Sequence, residues 1–146
     1  MNLNFVVNCL LFQAGETLDL SEYRIRSRIS LSPPESPVAS EAMYLMMKHV
    51  FELGYRRYEW KCDSCNAPSR QAAQRFGFSY EGVFRQATLY KGRNRDTAWY
   101  SILDREWPVA RAAFEAWLDP ANFAADGSQR QRLSALMQPG LKALRV

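Results

Sequence analysis

The sequence predicts a mixed α/β domain, and three observations carry that prediction. Apolar side chains recur at three- and four-residue intervals through Ala39, Ala42, Met43, Met46, Val50 and Leu53, the stripe of an amphipathic helix. Gly54 then stops the run, and the period drops to two: Tyr58, Trp60 and Cys62 alternate with Arg57, Glu59 and Lys61. A helix closed by glycine and followed at once by a strand is an α/β connection. Two further strand-like runs, 80–90 and 97–103, flank a turn-rich stretch holding Gly92 and Asn94, which predicts an antiparallel pair.

Taken in order, residues 1–20 offer one apolar run, 4–12, and a turn at Ala14-Gly15-Glu16. The run lacks a basic stretch before it and is interrupted by Asn8, so it reads as a strand and not as a signal peptide. Residues 21–32 place Tyr23, Ile25 and Ile29 between Arg24, Arg26 and Arg28, a second strand. The prolines Pro33, Pro34 and Pro37 break the chain there. Ser36 can cap the helix that follows, and Pro37 suits its first position.

After the strand 57–62 comes a polar break, 63–66, and a short helix, 68–76, with Asn66 as its cap and Gly77 as its stop. Trp107-Pro108 opens another helix, whose stripe is Ala110, Ala113, Phe114 and Trp117 and which Asp119-Pro120 ends. Leu133, Leu136 and Met137 predict a turn or two of helix over 127–137. Gln138-Pro139-Gly140 then predicts an unordered tail. The expected organisation is a divergent segment over 1–38 with one or two strands, a core over 39–118 and a C-terminal extension over 119–146.

At 146 residues the chain is one domain by size, and 47% hydrophobic content can build a core. No apolar run approaches the roughly 18 residues of a membrane span. The formal charge of +4 leans towards anionic partners but is too dispersed to predict nucleic acid; arginines on strands and turns are usually solvated. Three cysteines, Cys9, Cys62 and Cys65, without a secretion signal predict a reducing, cytoplasmic setting. Cys62-Asp63-Ser64-Cys65 has the C-x-x-C spacing, but the chain has one histidine, His49, and no second pair, so no metal site is expected.

Several of these elements stand in an order that is informative as a whole: Asn66-Ala67-Pro68-Ser69, then Gly77-Phe78, then Glu81-Gly82, then Gly92-Arg93-Asn94-Arg95-Asp96. That order resembles the C-terminal half of GNAT acyltransferases, nearest the branch of ribosomal-protein N-terminal acetyltransferases, over roughly residues 41–108. The resemblance implies a GNAT-like mixed, twisted sheet flanked by helices. Only residues 1–20 precede the predicted central strand, so the N-terminal strands of that fold are expected to be largely missing.

The resemblance also implies a chemistry, acyl transfer from acetyl-CoA to an amine. In such folds the pantetheine arm lies between two parallel strands, here 23–30 and 57–62, and the pyrophosphate rests on amides at the start of the intervening helix. It therefore assigns CoA binding to Ser36, Val38, Ala39 and Ser40, and to Asn66, Ser69 and Arg70. Ser69 would also protonate the departing sulfur; a hydroxyl suits that role because it can donate as thiolate charge develops. Read from spacing alone, Asn66 and Ser69 are a helix cap and a first-turn residue. No general base is evident, although Glu59 and Glu81 are strand carboxylates that could pair with Arg57 and Arg85.

Two departures from the pattern stand out. Glu35-Ser36-Pro37-Val38-Ala39-Ser40 occupies the phosphate loop without a glycine, and Pro37 contributes no donor. The short N-terminal segment also removes most of what builds an acceptor wall. The resemblance implies a protein N-terminus or a small amine as the partner; no membrane partner is expected, and a homodimer would cover exposed strand edges. The alternative is a non-catalytic remnant serving in binding or assembly.

Overall fold

The computed structural model describes residues 4–9, 25–30 and 37–145. In chain order they form β1 (Asn4–Cys9), β2 (Ile25–Ser30), α1 (Pro37–Glu52), β3 (Arg57–Asp63), α2 (Ala67–Arg75), β4 (Ser79–Tyr90), β5 (Arg93–Leu103), α3 (Trp107–Leu118), a 3-10 turn (Pro120–Asn122) and α4 (Leu133–Leu144). The class is the predicted mixed α/β.

A three-stranded antiparallel sheet in the order β3-β5-β4 is the frame. The β3/β5 register sets Tyr58 opposite Ile102, Trp60 opposite Tyr100 and Cys62 opposite Ala98. All six are buried, so the alternation read in the sequence is the core-facing side of the sheet. The helices pack there: Trp60 touches Phe76 and Phe78, and Phe76 stacks on Phe114 of α3 at 6.1 Å between ring centroids. Each fully buried aromatic contributes on the order of 2–3 kcal/mol, so this face is where the fold's stability is concentrated. The opposite face carries Arg57, Glu59, Lys61, Trp99 and Ser101.

Four sequence expectations change. Strand β5 begins at Arg93, not at residue 97, because a two-residue turn at Lys91-Gly92, both at positive φ (51° and 73°), lets the hairpin pair almost to its tip. In α1, Met47 joins the core while Leu53 lies beyond the helix end and is 53% exposed. The tail is not unordered: α4 runs through Pro139 to Leu144. Leu141 is buried beside Gly77, and Arg145 donates to Glu106 Oε1 (2.7 Å) and to the Gly77 carbonyl (2.8 Å), so tertiary contacts override the proline signal. Finally, the strand expected to flank β3 was 23–30, but β2 pairs antiparallel with β1 in a separate two-stranded sheet, and β1 is the strand lying along β3. Residues 23 and 24 fall outside the described residues.

Candidate functional site

At the C-terminal end of β3 the chain turns through a short polar break into α2. Asn66 caps that helix: its Oδ1 accepts from the Ser69 amide at 3.1 Å. This satisfies one of the amides that a helix start leaves unpaired. Pro68 in the first turn removes a donor that would otherwise be orphaned. Ser69 is turned inward and buried, and its Oγ accepts from Trp60 Nε1 at 3.1 Å. Cys62 lies beside this pair. Burial pushes its thiol pKa up, while the Ser69 hydroxyl, the Arg70 charge and the Trp60 indole pull it down.

Arg70 is exposed at the same corner. Its Nε donates to the Tyr100 hydroxyl (3.2 Å) and its Nη1 to the Ser64 carbonyl (3.2 Å), which fixes the guanidinium over the loop. Thus Asn66, Ser69 and Arg70 come together as the motif suggested. Of the phosphate-loop group, Ser36 lies outside the described residues. Val38 is 74% exposed at the head of α1, whereas Ala39 and Ser40 are buried. Ser40 Oγ accepts from Arg75 Nη1 at 3.1 Å, which ties the start of α1 to the end of α2, and Arg75 also covers the Phe76 ring. The amides of Val38 and Ala39 are the first-turn donors that remain after Pro37, and such donors suit an anionic group. The Asn66 carboxamide, whose oxygen is spent on the cap, still has N–H groups to offer a pantetheine carbonyl.

A second cluster lies on the far face of the sheet. Arg57 Nε donates to Glu59 Oε1 at 2.7 Å, and both of its terminal nitrogens grip the Glu81 carboxylate. Ser101 Oγ donates to Glu81 Oε1 at 2.5 Å. Arg57 therefore serves both carboxylates; the pairing of Glu59 with Arg57 matches expectation, and Glu81 joins it there. A bulge explains why. Tyr80 pairs with Tyr100 and Gly82 with Trp99, so Glu81 is an extra residue, and the bulge turns it to the Ser101 side. The Arg57 hydrogen bonds hold the Glu81 carboxyl below the usual glutamate range, against a smaller opposing effect of burial. Sequence spacing missed this convergence because a bulge leaves no periodic trace. It also missed Trp60 Nε1 and Tyr100 as partners of Ser69 and Arg70, although their alternation on one face was a usable signal.

The sheet and helices just described are the C-terminal half of the GNAT acetyltransferase fold. A GCN5-related N-acetyltransferase from Brucella melitensis is 56% identical over 69% of this chain and 46% of its own, with a TM-score of 0.68. A probable acetyltransferase of the GNAT family from Chromobacterium violaceum is 52% identical over 57% of this chain and 43% of its own, with a TM-score of 0.54. Mycobacterium smegmatis RimJ, solved in complex with CoA-disulfide, is 25% identical over 60% of this chain and 43% of its own, with a TM-score of 0.51. The chain spans under half the length of each of these structures. No family model and no curated protein matches it. Among the described residues no helix is long and apolar enough to cross a membrane.

Proposed function

We propose that this chain is an acyl-CoA-dependent N-acyltransferase, transferring acetyl from acetyl-CoA to the primary amine of a protein N-terminus or a small molecule. The observation that carries this is the Asn66–Ser69 pair at the head of α2, with Ser69 Oγ held at 3.1 Å by Trp60 Nε1 of the adjoining strand. The 56% identity to a GCN5-related N-acetyltransferase supports it. In this reading the first-turn amides of α1 take the pyrophosphate. Asn66 donates to the pantetheine amide region, and Arg70 supplies positive charge at the mouth. Ser69 gives its hydroxyl proton to the CoA sulfur as the C–S bond breaks, and the proton shed by the acylated nitrogen restores the hydroxyl through solvent water. The Trp60 N–H lowers the cost of that donation by stabilising the developing oxygen charge.

Calorimetry with acetyl-CoA tests the reading. Micromolar binding that weakens at least tenfold in Asn66→Ala is the expected result. No detectable heat at millimolar ligand would sink it. A second reading, a non-catalytic module used for binding or assembly, is favoured by Pro37, which contributes no donor at the head of α1. It predicts a folded chain that binds no acetyl-CoA.

A further inference from the structure

The C-terminal segment forms a wall facing α2, and the two enclose a cleft of about 330 Å3. The α2 wall is a polar stripe. Ala72 and Ala73 face the core, while Gln74 and Arg75, three and four residues on from Gln71, share its outer side. The other wall carries Gln129 and Arg132, ahead of α4, and Ser134 in its first turn. Among the described residues no aspartate or glutamate lines the cleft. Its volume is at the small end of the roughly 300–1,000 Å3 of ligand cavities, so it suits one charged group of a ligand more than a whole cosubstrate.

Its donors are held in place. Arg75 Nη1 donates to Ser40 Oγ at 3.1 Å, and the guanidinium carbon lies 4.3 Å from the Phe76 ring centroid, so this charge is fixed where α1 and α2 meet. Trp117 Nε1 donates to Gln129 Oε1 at 2.8 Å. An indole N–H can only donate, so the carboxamide oxygen is committed to Trp117 and the other end of the group is its N–H donor. Arg132 is exposed and does not cap α4. The cleft thus combines two guanidinium charges with an oriented amide and no acid. A phosphomonoester matches that set, with a charge of about −1.5 to −2 at pH 7 and three strong acceptor oxygens. A single carboxylate would match one arginine.

We propose that the cleft between α2 and residues 129–138 binds a phosphomonoester, with Arg75 and Arg132 holding its charge and Gln129 donating to one of its oxygens. Two sources carry that group: the ribose 3′-phosphate of acyl-CoA, or a separate phosphorylated metabolite. Arg75 joins the cleft to Ser40 in α1, the helix whose first turn the acyltransferase reading gives to the pyrophosphate. The first source rests on that reading and the second does not. In either case α4 helps to build a binding site as well as covering the core.

The test titrates the full chain, at constant ionic strength, with acetyl-CoA, with acetyl-dephospho-CoA and with inorganic phosphate. If the cosubstrate supplies the group, calorimetry should show acetyl-CoA binding at least tenfold more tightly than its 3′-dephospho form, and Arg132→Gln should reduce that preference to under threefold. If a separate metabolite supplies it, the two forms bind alike, and millimolar phosphate should shift the Ser134 amide 15N resonance in the wild type but not in Arg132→Gln. A wild-type chain that shows neither the preference nor the shift overturns the proposal, a result that needs no variant. Arg130→Gln is the charge control, since Arg130 does not line the cleft. An equal loss in that variant also overturns the proposal, because the attraction would then be diffuse. Failure of both CoA forms to bind, with the phosphate shift intact, supports the cleft and counts against the acyltransferase reading, so the two failures are distinguishable.

Discussion

Trp60 Nε1 donates to Ser69 Oγ across 3.1 Å in the buried interior, joining β3 to the short helix α2 behind it. The bond has a structural and a chemical consequence that can be separated. Trp60→Phe removes the donor and keeps most of the ring, so stability should fall by about 1–2 kcal/mol from the lost bond and the volume change. Urea denaturation should show a lower midpoint with an unchanged slope.

Ser69→Ala is the complementary change. It leaves the Trp60 N–H without its acceptor, and a stability loss of about 1–2 kcal/mol is expected. If Ser69 protonates the leaving sulfur, turnover with acetyl-CoA should drop by at least tenfold while acetyl-CoA affinity changes less than threefold, since the contact strengthens only in the transition state. Equal losses in binding, with turnover intact, would leave Ser69 a structural residue.

Asn66 can be split in the same way. Its oxygen caps α2, so Asn66→Ala should cost about 1 kcal/mol of stability. Asn66→Asp keeps an acceptor for the Ser69 amide but discards the carboxamide N–H donors. That variant should stay near wild-type stability in thermal melts and still lose at least fivefold in acetyl-CoA affinity. Wild-type affinity in Asn66→Asp would confine Asn66 to capping.

How much of this was legible beforehand follows from what periodicity can encode. The period-two run Tyr58-Trp60-Cys62 gave the buried face of β3, and the stripe Ala110, Ala113, Phe114, Trp117 is buried in α3 without exception. The Asn66–Ser69 spacing placed the cap correctly. What escaped lies in contacts between distant segments. Pro139 reads locally as a breaker, yet Leu141 and Arg145 gain enough tertiary packing and bonding to carry α4 past it. Glu81 reads as one of a row of strand residues, and only the bulge reveals that it shares Arg57 with Glu59.

That shared arginine makes stability pH-dependent in a definite direction. The folded-state pKa of Glu81 lies below its ordinary value of 4.5, chiefly through hydrogen bonds from Arg57 and with help from Ser101. A depressed carboxylate adds stability above its unfolded pKa and loses it as pH falls through the folded one. Wild type should therefore exceed Glu81→Gln in urea stability at pH 7, by about 1 kcal/mol or less because solvent reaches the carboxylate. The gap should close as pH falls from above the ordinary glutamate range to well below it. A gap independent of pH would show that the Arg57 pairing contributes nothing through charge.

The C-terminal helix offers a steric test. Gly140 packs directly on α3, and a Cβ built there would lie 2.5 Å from Val109 Cγ1. The backbone of Gly140 is helical, so its glycine is demanded by the neighbour and not by φ. Gly140→Ala should then destabilise the chain by about 1–3 kcal/mol through overpacking, despite alanine's better helix propensity. Val109→Ala clears the obstructing methyl, so the double variant should recover at least half of that loss in denaturant melts. A Gly140→Ala variant more stable than wild type would mean that α4 does not seat against α3 at this point, and the reading of residues 138–144 as a docked helix would fail with it.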